Sequence, residues 1–302
     1  MKAILSTRSG PPEVLHYRDR EKPTPGPNEL LARVRGATVA RGDVVMRRMP
    51  RIVLRIVGAL AGFKPMDTPG VEYAGDVVEV GDRVTAFRVG DAVCGTATGL
   101  RHGANAEFVC VPERPKQGVI VRKPEAVSYE DSAAAVVGGM TALQLVKRAG
   151  VRSGDRVLVN GASGSVGSYV VQLAKHVGAE VTGVCSASNV EMVRSIGADH
   201  VIDYTREDFT QGAAKYDVIV DAVGKTSKRR CRGALEADGR YVSSRAPTKE
   251  VAEELEYVQK LVESGEIRVV VDSEYPLERI VEAHRYVETG HKHGNVLVRV
   301  PE

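Results

Sequence analysis

Along the first third of the chain, short apolar runs alternate with turn residues: Lys2 to Leu5, Leu30 to Val39, Val71 to Val80, Asp91 to Gly95 and Ala106 to Val111. Turns such as Pro23-Thr24-Pro25-Gly26-Pro27 and Phe87-Arg88-Val89-Gly90-Asp91 separate them. Runs of that length between such signals predict a mostly antiparallel β domain. From Ser128 the period turns helical, with Asp131 to Val137 and Thr141 to Arg148 on either side of Gly138-Gly139, read as a break. Strands and helices then alternate: strand Arg156 to Asn160, helix Val166 to Val177, strand Glu180 to Cys185, helix Val190 to Ile196 and strand Val201 to Asp203. Strand Asp217 to Asp221, helix Lys225 to Glu236, strand Arg240 to Ser243 and helix Lys249 to Ser264 continue it. That rhythm predicts right-handed crossovers and a parallel sheet. A strand Ile267 to Val271, a helix Leu277 to Glu288 and a strand Asn295 to Val300 close the chain. They predict a return to the first domain, so that a parallel α/β domain (126–270) is inserted in an antiparallel one (1–125 plus 271–302).

Charge and length narrow the classes. The 302 residues carry 42 Lys plus Arg against 39 Asp plus Glu, a formal charge of +3, which is no footprint for nucleic acid. No apolar run reaches the ~20 residues of a membrane span; the nearest, Ile52 to Phe63, contains Arg55. After Met1 to Ser6 come Thr7, Arg8 and Gly10-Pro11-Pro12, which leave no room for a signal peptide. Cys94, Cys110, Cys185 and Cys231 are spaced neither as a disulfide framework nor as a metal site, so a reducing cytoplasm is expected.

The chemically informative stretch is Val157-Leu158-Val159-Asn160-Gly161-Ala162-Ser163-Gly164-Ser165-Val166-Gly167, a strand entering a glycine turn that opens a helix. Amide groups at such a helix start, aided by its dipole, hold a pyrophosphate. Against G-x-G-x-x-G the first glycine is Ala162; the setting between strand and helix carries the reading. The second strand ends Val184-Cys185-Ser186-Ala187-Ser188-Asn189, without the carboxylate that selects NAD, so NADP is expected. Ser188 or Asn189 also reads as a helix cap.

The order of elements, Met1-Lys2-Ala3, Pro69-Gly70-Val71-Glu72-Tyr73-Ala74-Gly75, Phe87 to Asp91 and the Gly161 to Gly167 turn together resemble the medium-chain dehydrogenase/reductase superfamily. The likeness is to its zinc-independent, quinone-oxidoreductase-like branch. Its implied architecture is a Rossmann-type parallel sheet inserted in a GroES-like catalytic domain. Zinc-dependent members carry Cys where Ala40 stands and His at Val71, so no metal is expected. Glu72, kept without that partner, reads as structural.

Residue by residue, the resemblance implies that Gly161, Ala162, Ser163, Gly164, Ser165 and Val166 wrap the pyrophosphate and that Ser186, Asn189 and Tyr204 surround the adenosine phosphate. Ala222, Val223 and Gly224 would lie by the ribose, Ser243 and Thr141 by the nicotinamide, and Asn295 in a C-terminal cofactor loop. Thr141 reads equally as a helix-capping hydroxyl and Tyr204 as a sheet-edge aromatic. Asp43 is expected to order the substrate wall. Relatives often carry Asn where Ala40 stands, which leaves no evident donor for a substrate carbonyl. They also have a longer connection after Ser243 bearing a sixth strand and the dimer edge. Here Ser243 to Pro247 is short, so five parallel strands are expected and the familiar dimer is in doubt.

The expected activity is NADPH-dependent reduction of a small-molecule quinone or α,β-unsaturated carbonyl. The alternatives are a zinc-free alcohol or enoyl dehydrogenase and a non-catalytic NADPH-binding regulator. The basic, apolar segment Met46 to Val57 reads as a surface helix or as a lid touching membrane or substrate, and Lys228 to Arg232 as a solvated face.

Overall fold

The computed structural model describes residues 1–61, 67–97 and 103–301; the end of the Ile52 to Phe63 run lies outside them. The chain folds into two compact units, Met1–Val137 with Glu250–Glu263 and Val271–Glu302, and Gly138–Lys249 with Ser264–Val270. The division differs from the one expected at 126, because Tyr129–Ala134 and Ala252–Glu263 belong to the first unit.

In the first unit, β1 (Lys2–Leu5) and β2 (His16–Asp19) form an antiparallel pair. Then come β3 (Glu29–Thr38), α1 (Arg41–Arg48), α2 (Arg51–Ala61), β4 (Glu72–Val80), β5 (Ala92–Thr96), β6 (Phe108–Pro112), β7 (Ile120–Arg122) and α3 (Tyr129–Ala134). The second unit runs through α4 (Val136–Ala149), β8 (Arg156–Asn160), α5 (Ser165–Val177), β9 (Glu180–Cys185), α6 (Val190–Ser195), β10 (His200–Asp203), β11 (Tyr216–Asp221), α7 (Lys228–Cys231) and β12 (Leu235–Ser243). The chain closes with α8 (Ala252–Glu263), β13 (Val271–Pro276), α9 (Ile280–Thr289) and β14 (Asn295–Arg299).

The first unit's main sheet has the order β13-β14-β3-β4-β5-β7, with β6 also on β3. Its ladders are antiparallel except β13 with β14. Leu30, Ala32, Val34 and Ala37 of β3 lie at its core with Tyr73 and Val77 of β4 and Val296 and Val298 of β14, all at most 1% exposed. The final strand therefore rejoins the first domain, as its pattern predicts.

The second unit holds five parallel strands in the order β10-β9-β8-β11-β12. Val157, Leu158, Val159, Val218, Ile219 and Val220 are fully buried, which is why β8 and β11 read as unbroken apolar runs. No helix among the described residues is long and apolar enough to cross a membrane.

Four local readings are corrected. Gly138-Gly139 is no break: the helices divide at Ala135, and α4 runs through the glycines. A Cβ on Gly138 would stand 2.6 Å from Ser165 Oγ and 3.1 Å from Tyr169 Cε2, so the glycine serves close helix packing. The strand expected at Ile267 to Val271 begins at Val271. The helix expected from Lys225 shrinks to one turn, Lys228–Cys231, and a 3-10 turn. Finally, β12 starts at Leu235 opposite Tyr216, slips, and resumes pairing at Arg240 opposite Val218.

Candidate functional site

At the carboxyl end of β8, Gly161 takes φ +80°, a conformation open to glycine, and a Cβ there would stand 2.4 Å from Val223 Cγ1. A Cβ on Gly167 would stand 2.0 Å from Gly161 O, so the turn packs backbone on backbone. Gly164 caps α5 without a side-chain bond, and Ala162 is fully buried. An uncapped helix head on a bare glycine turn fits a pyrophosphate, whose oxygens would take bonds from the first amides of α5.

Beside it, Asn189 Nδ2 donates to Ser186 Oγ at 3.0 Å and to Ser163 Oγ at 3.4 Å, and Ser186 Oγ lies 3.2 Å from Ser188 Oγ. Three sequence-predicted residues thus meet in one polar cluster at the end of β9. Tyr204 follows β10, donates its amide to Cys185 O at 3.0 Å, and is 60% exposed, so it is no packed edge aromatic. The neighbouring carboxylate, Asp203, is engaged by the Thr205 amide and hydroxyl, which hold its pKa low. Arg206, whose charge also acts on Asp203, is exposed. Sequence reasoning missed this cation because it looked only at the turn after β9, whereas pairing brings the end of β10 alongside.

Asp221 at the end of β11 is a second omission. It is fully buried and accepts from Asn160 Nδ2 at 3.0 Å, Thr226 N at 2.9 Å and Tyr241 OH at 3.2 Å, with longer bonds from Val223 N and Lys225 N. It therefore shapes the Ala222–Thr226 loop. A carboxylate closing an apolar strand just before Ala222-Val223-Gly224 was its available signal. Burial, with Asp221 beside it, pushes the Tyr241 hydroxyl up to about 12. Ala222 N bonds Asn160 O at 3.0 Å, Val223 is 44% exposed, and Ser243 Oγ accepts from Arg245 N at 3.3 Å. Thr141 lies inside α4, partly exposed, rather than at a helix cap.

The two remaining candidates lie in the first unit. Asn295 is buried at the start of β14. Asp43 is 4% exposed; its Oδ2 accepts from Ala40 N at 2.7 Å, fixing the head of α1, and Oδ1 has no partner among the described residues. Burial pushes it up to about 6. It lines a cavity of about 500 Å³ with Ser6, Ser9, Arg47 and Thr68. Glu72 accepts from Thr38 Oγ1 and, at 2.7 Å, from Val137 N, and burial pushes it up to about 7.

A parallel sheet of order 3-2-1-4-5, an uncapped glycine turn after its first strand and a polar cluster after its second define a dinucleotide-binding protein. The family model described as the alcohol dehydrogenase GroES-like domain matches residues 26–125, and that of the zinc-binding dehydrogenases residues 165–276. The chain is 31% identical to the chloroplast envelope quinone oxidoreductase homolog of Arabidopsis thaliana, over 91% of both chains. It is 32% identical to the chloroplastic NADPH-dependent alkenal/one oxidoreductase of the same plant, over 78% of this chain and 66% of that one. The solved quinone oxidoreductase of Coxiella burnetii superposes with a TM-score of 0.85 at 29% identity, over 100% of this chain and 99% of that one. The chain belongs to the medium-chain dehydrogenase/reductase superfamily, in its quinone-oxidoreductase-like branch, and is an oxidoreductase that uses a nicotinamide cofactor. Zinc, named in the second description, does not fit the donor set. Ala40 and Val71 offer no ligand atoms, and among the described residues no three His, Cys, Asp or Glu converge.

Proposed function

We propose that the protein reduces a quinone or an α,β-unsaturated carbonyl with NADPH and without zinc. One observation carries the cofactor choice: the rim after β9 offers hydroxyls and the Asn189 amide, while Asp203 is turned onto Thr205. A 2′-phosphate needs donors and no facing carboxylate, and Arg206 adds a cation on that rim. The names of the Arabidopsis relatives, one a quinone oxidoreductase homolog and the other NADPH-dependent, support the same reading.

The cofactor supplies a hydride when bound. The chain's own work is binding and orientation: the head of α5 holds the pyrophosphate, Asp221 fixes the Ala222–Thr226 loop, and Ser243 with Thr141 borders the ring. Asp43 orders its wall by holding α1. The four cysteines are unpaired, which supports a reducing compartment.

Titration of NADPH and NADH, read by nicotinamide fluorescence and followed by 1,4-benzoquinone, tests the reading. The expected result is at least about tenfold tighter NADPH binding and rapid oxidation on adding quinone. Binding without turnover on quinones or enones would favour a regulator, and no binding of either cofactor overturns the reading.

A further inference from the structure

The short connection after β12 forms a built turn. Ser243 O accepts from Ala246 N at 3.0 Å, Arg245 N donates to Ser243 Oγ at 3.3 Å, and Ser244 N donates to Asp221 O at 2.9 Å. Further along, Arg148 Nη2 donates to Pro247 O at 2.8 Å, and Gln144 meets both peptide groups of Lys249, at 2.5 and 2.9 Å. Both anchors stand on α4, the helix that carries Thr141. The backbone of Arg245 is therefore fixed from both sides.

Its side chain lies across Gly224, where a Cβ would stand 3.0 Å from Arg245 Cγ and 3.1 Å from Nε. The residue is exposed, and no hydrogen bond or ion pair engages its guanidinium among the described residues. Gly161, Val223, Gly224 and Arg245 thus form a continuous row along the carboxyl edge of the sheet. In this strand order the adenosine half of a dinucleotide lies toward β9, so its nicotinamide half lies toward β11 and β12, where Arg245 stands.

We propose that Arg245 is the substrate-oxygen site: a planar cation that donates hydrogen bonds to the carbonyl oxygen of a quinone or enone, and more strongly to the phenolate or enolate that oxygen becomes. This rests on the reductase reading above. It supplies the donor whose absence at Ala40 left the substrate carbonyl without a partner. An oxidised nicotinamide ring is cationic and repels a guanidinium, so the group is matched to the anion on the substrate. The 2′-phosphate cluster lies at the other end of the cofactor.

The test compares the whole protein with Arg245→Ala and Arg245→Lys. Three quantities are read: NADPH affinity by fluorescence, binding of 4-nitrophenolate to the NADP⁺-loaded protein by absorbance, and kcat/KM for 1,4-benzoquinone. In Arg245→Ala, NADPH affinity should stay within about twofold, 4-nitrophenolate binding should weaken about tenfold or more, and kcat/KM should fall about 10- to 100-fold. Arg245→Lys should recover part of both losses. Unchanged 4-nitrophenolate binding in Arg245→Ala overturns the proposal, as does a tenfold loss of NADPH affinity, which would place the guanidinium on the cofactor. Wild-type protein that binds neither NADPH nor NADH overturns the reductase reading instead.

Discussion

Each unit buries carboxylates, but their surroundings differ. Asp221 in the second unit collects bonds from Asn160, Tyr241 and the amides of Val223, Lys225 and Thr226. In the first unit Asp43 is bonded at one oxygen, and Glu72 has only Thr38 and the Val137 amide. Burial without enough donors disfavours the charged form, and these two are pushed up to about 6 and about 7. A buried carboxylate surrounded by donors holds a loop in one shape; one short of donors makes the fold sensitive to pH.

Three experiments break or sharpen that contrast. Asp221→Asn replaces acceptor capacity with donors facing Thr226 N and Tyr241 OH. It should cost about 3 kcal/mol in urea unfolding and weaken NADPH more than about tenfold. Next is pH. Glu72 is raised from an ordinary 4.5 to about 7, so between those values the folded chain binds more protons than the unfolded one. Stability contributed by the protonated form is therefore present at low pH and lost as pH rises through about 7. Glu72→Gln should remove about 2 kcal/mol of the decline measured between pH 5 and 8, against an upper limit of roughly 3 from the raised pKa. The smallest effect is at the β9 rim: Ser186→Asp should weaken NADPH by about 1.4 kcal/mol, a tenfold rise in Kd, and leave NADH unchanged or tighter.

The sequence was most legible where one local rule sufficed. Burial on both faces wrote β8 and β11 as plain apolar runs, and the Gly161 to Gly167 turn announced its own chemistry. It was least legible where a residue's meaning depended on a distant neighbour. Gly138 resembles a helix breaker until α5 is packed against it. Arg206 and Asp221 matter through strands paired beside them, and Arg245 through Gly224, 21 positions earlier in the chain. The glycine in Ala237-Asp238-Gly239 did mark a turn, but that turn interrupts a strand already begun at Leu235.

The amide of Gln144, which meets both peptide groups of Lys249, has a counterpart. Gln172 of α5 donates to Arg268 O at 3.0 Å and accepts from Arg268 N at 2.8 Å. Each glutamine imitates a peptide unit, completing one rung of a ladder with the main chain. Lys249 is where the chain leaves the second unit, and Arg268 lies in the segment by which it returns. The Glu250–Glu263 excursion is thus tethered near both ends, so ordering it means closing a short loop rather than searching as part of a long free chain. Glutamate at either position would forfeit the donated half of its rung, whereas a carboxamide makes both halves at every pH.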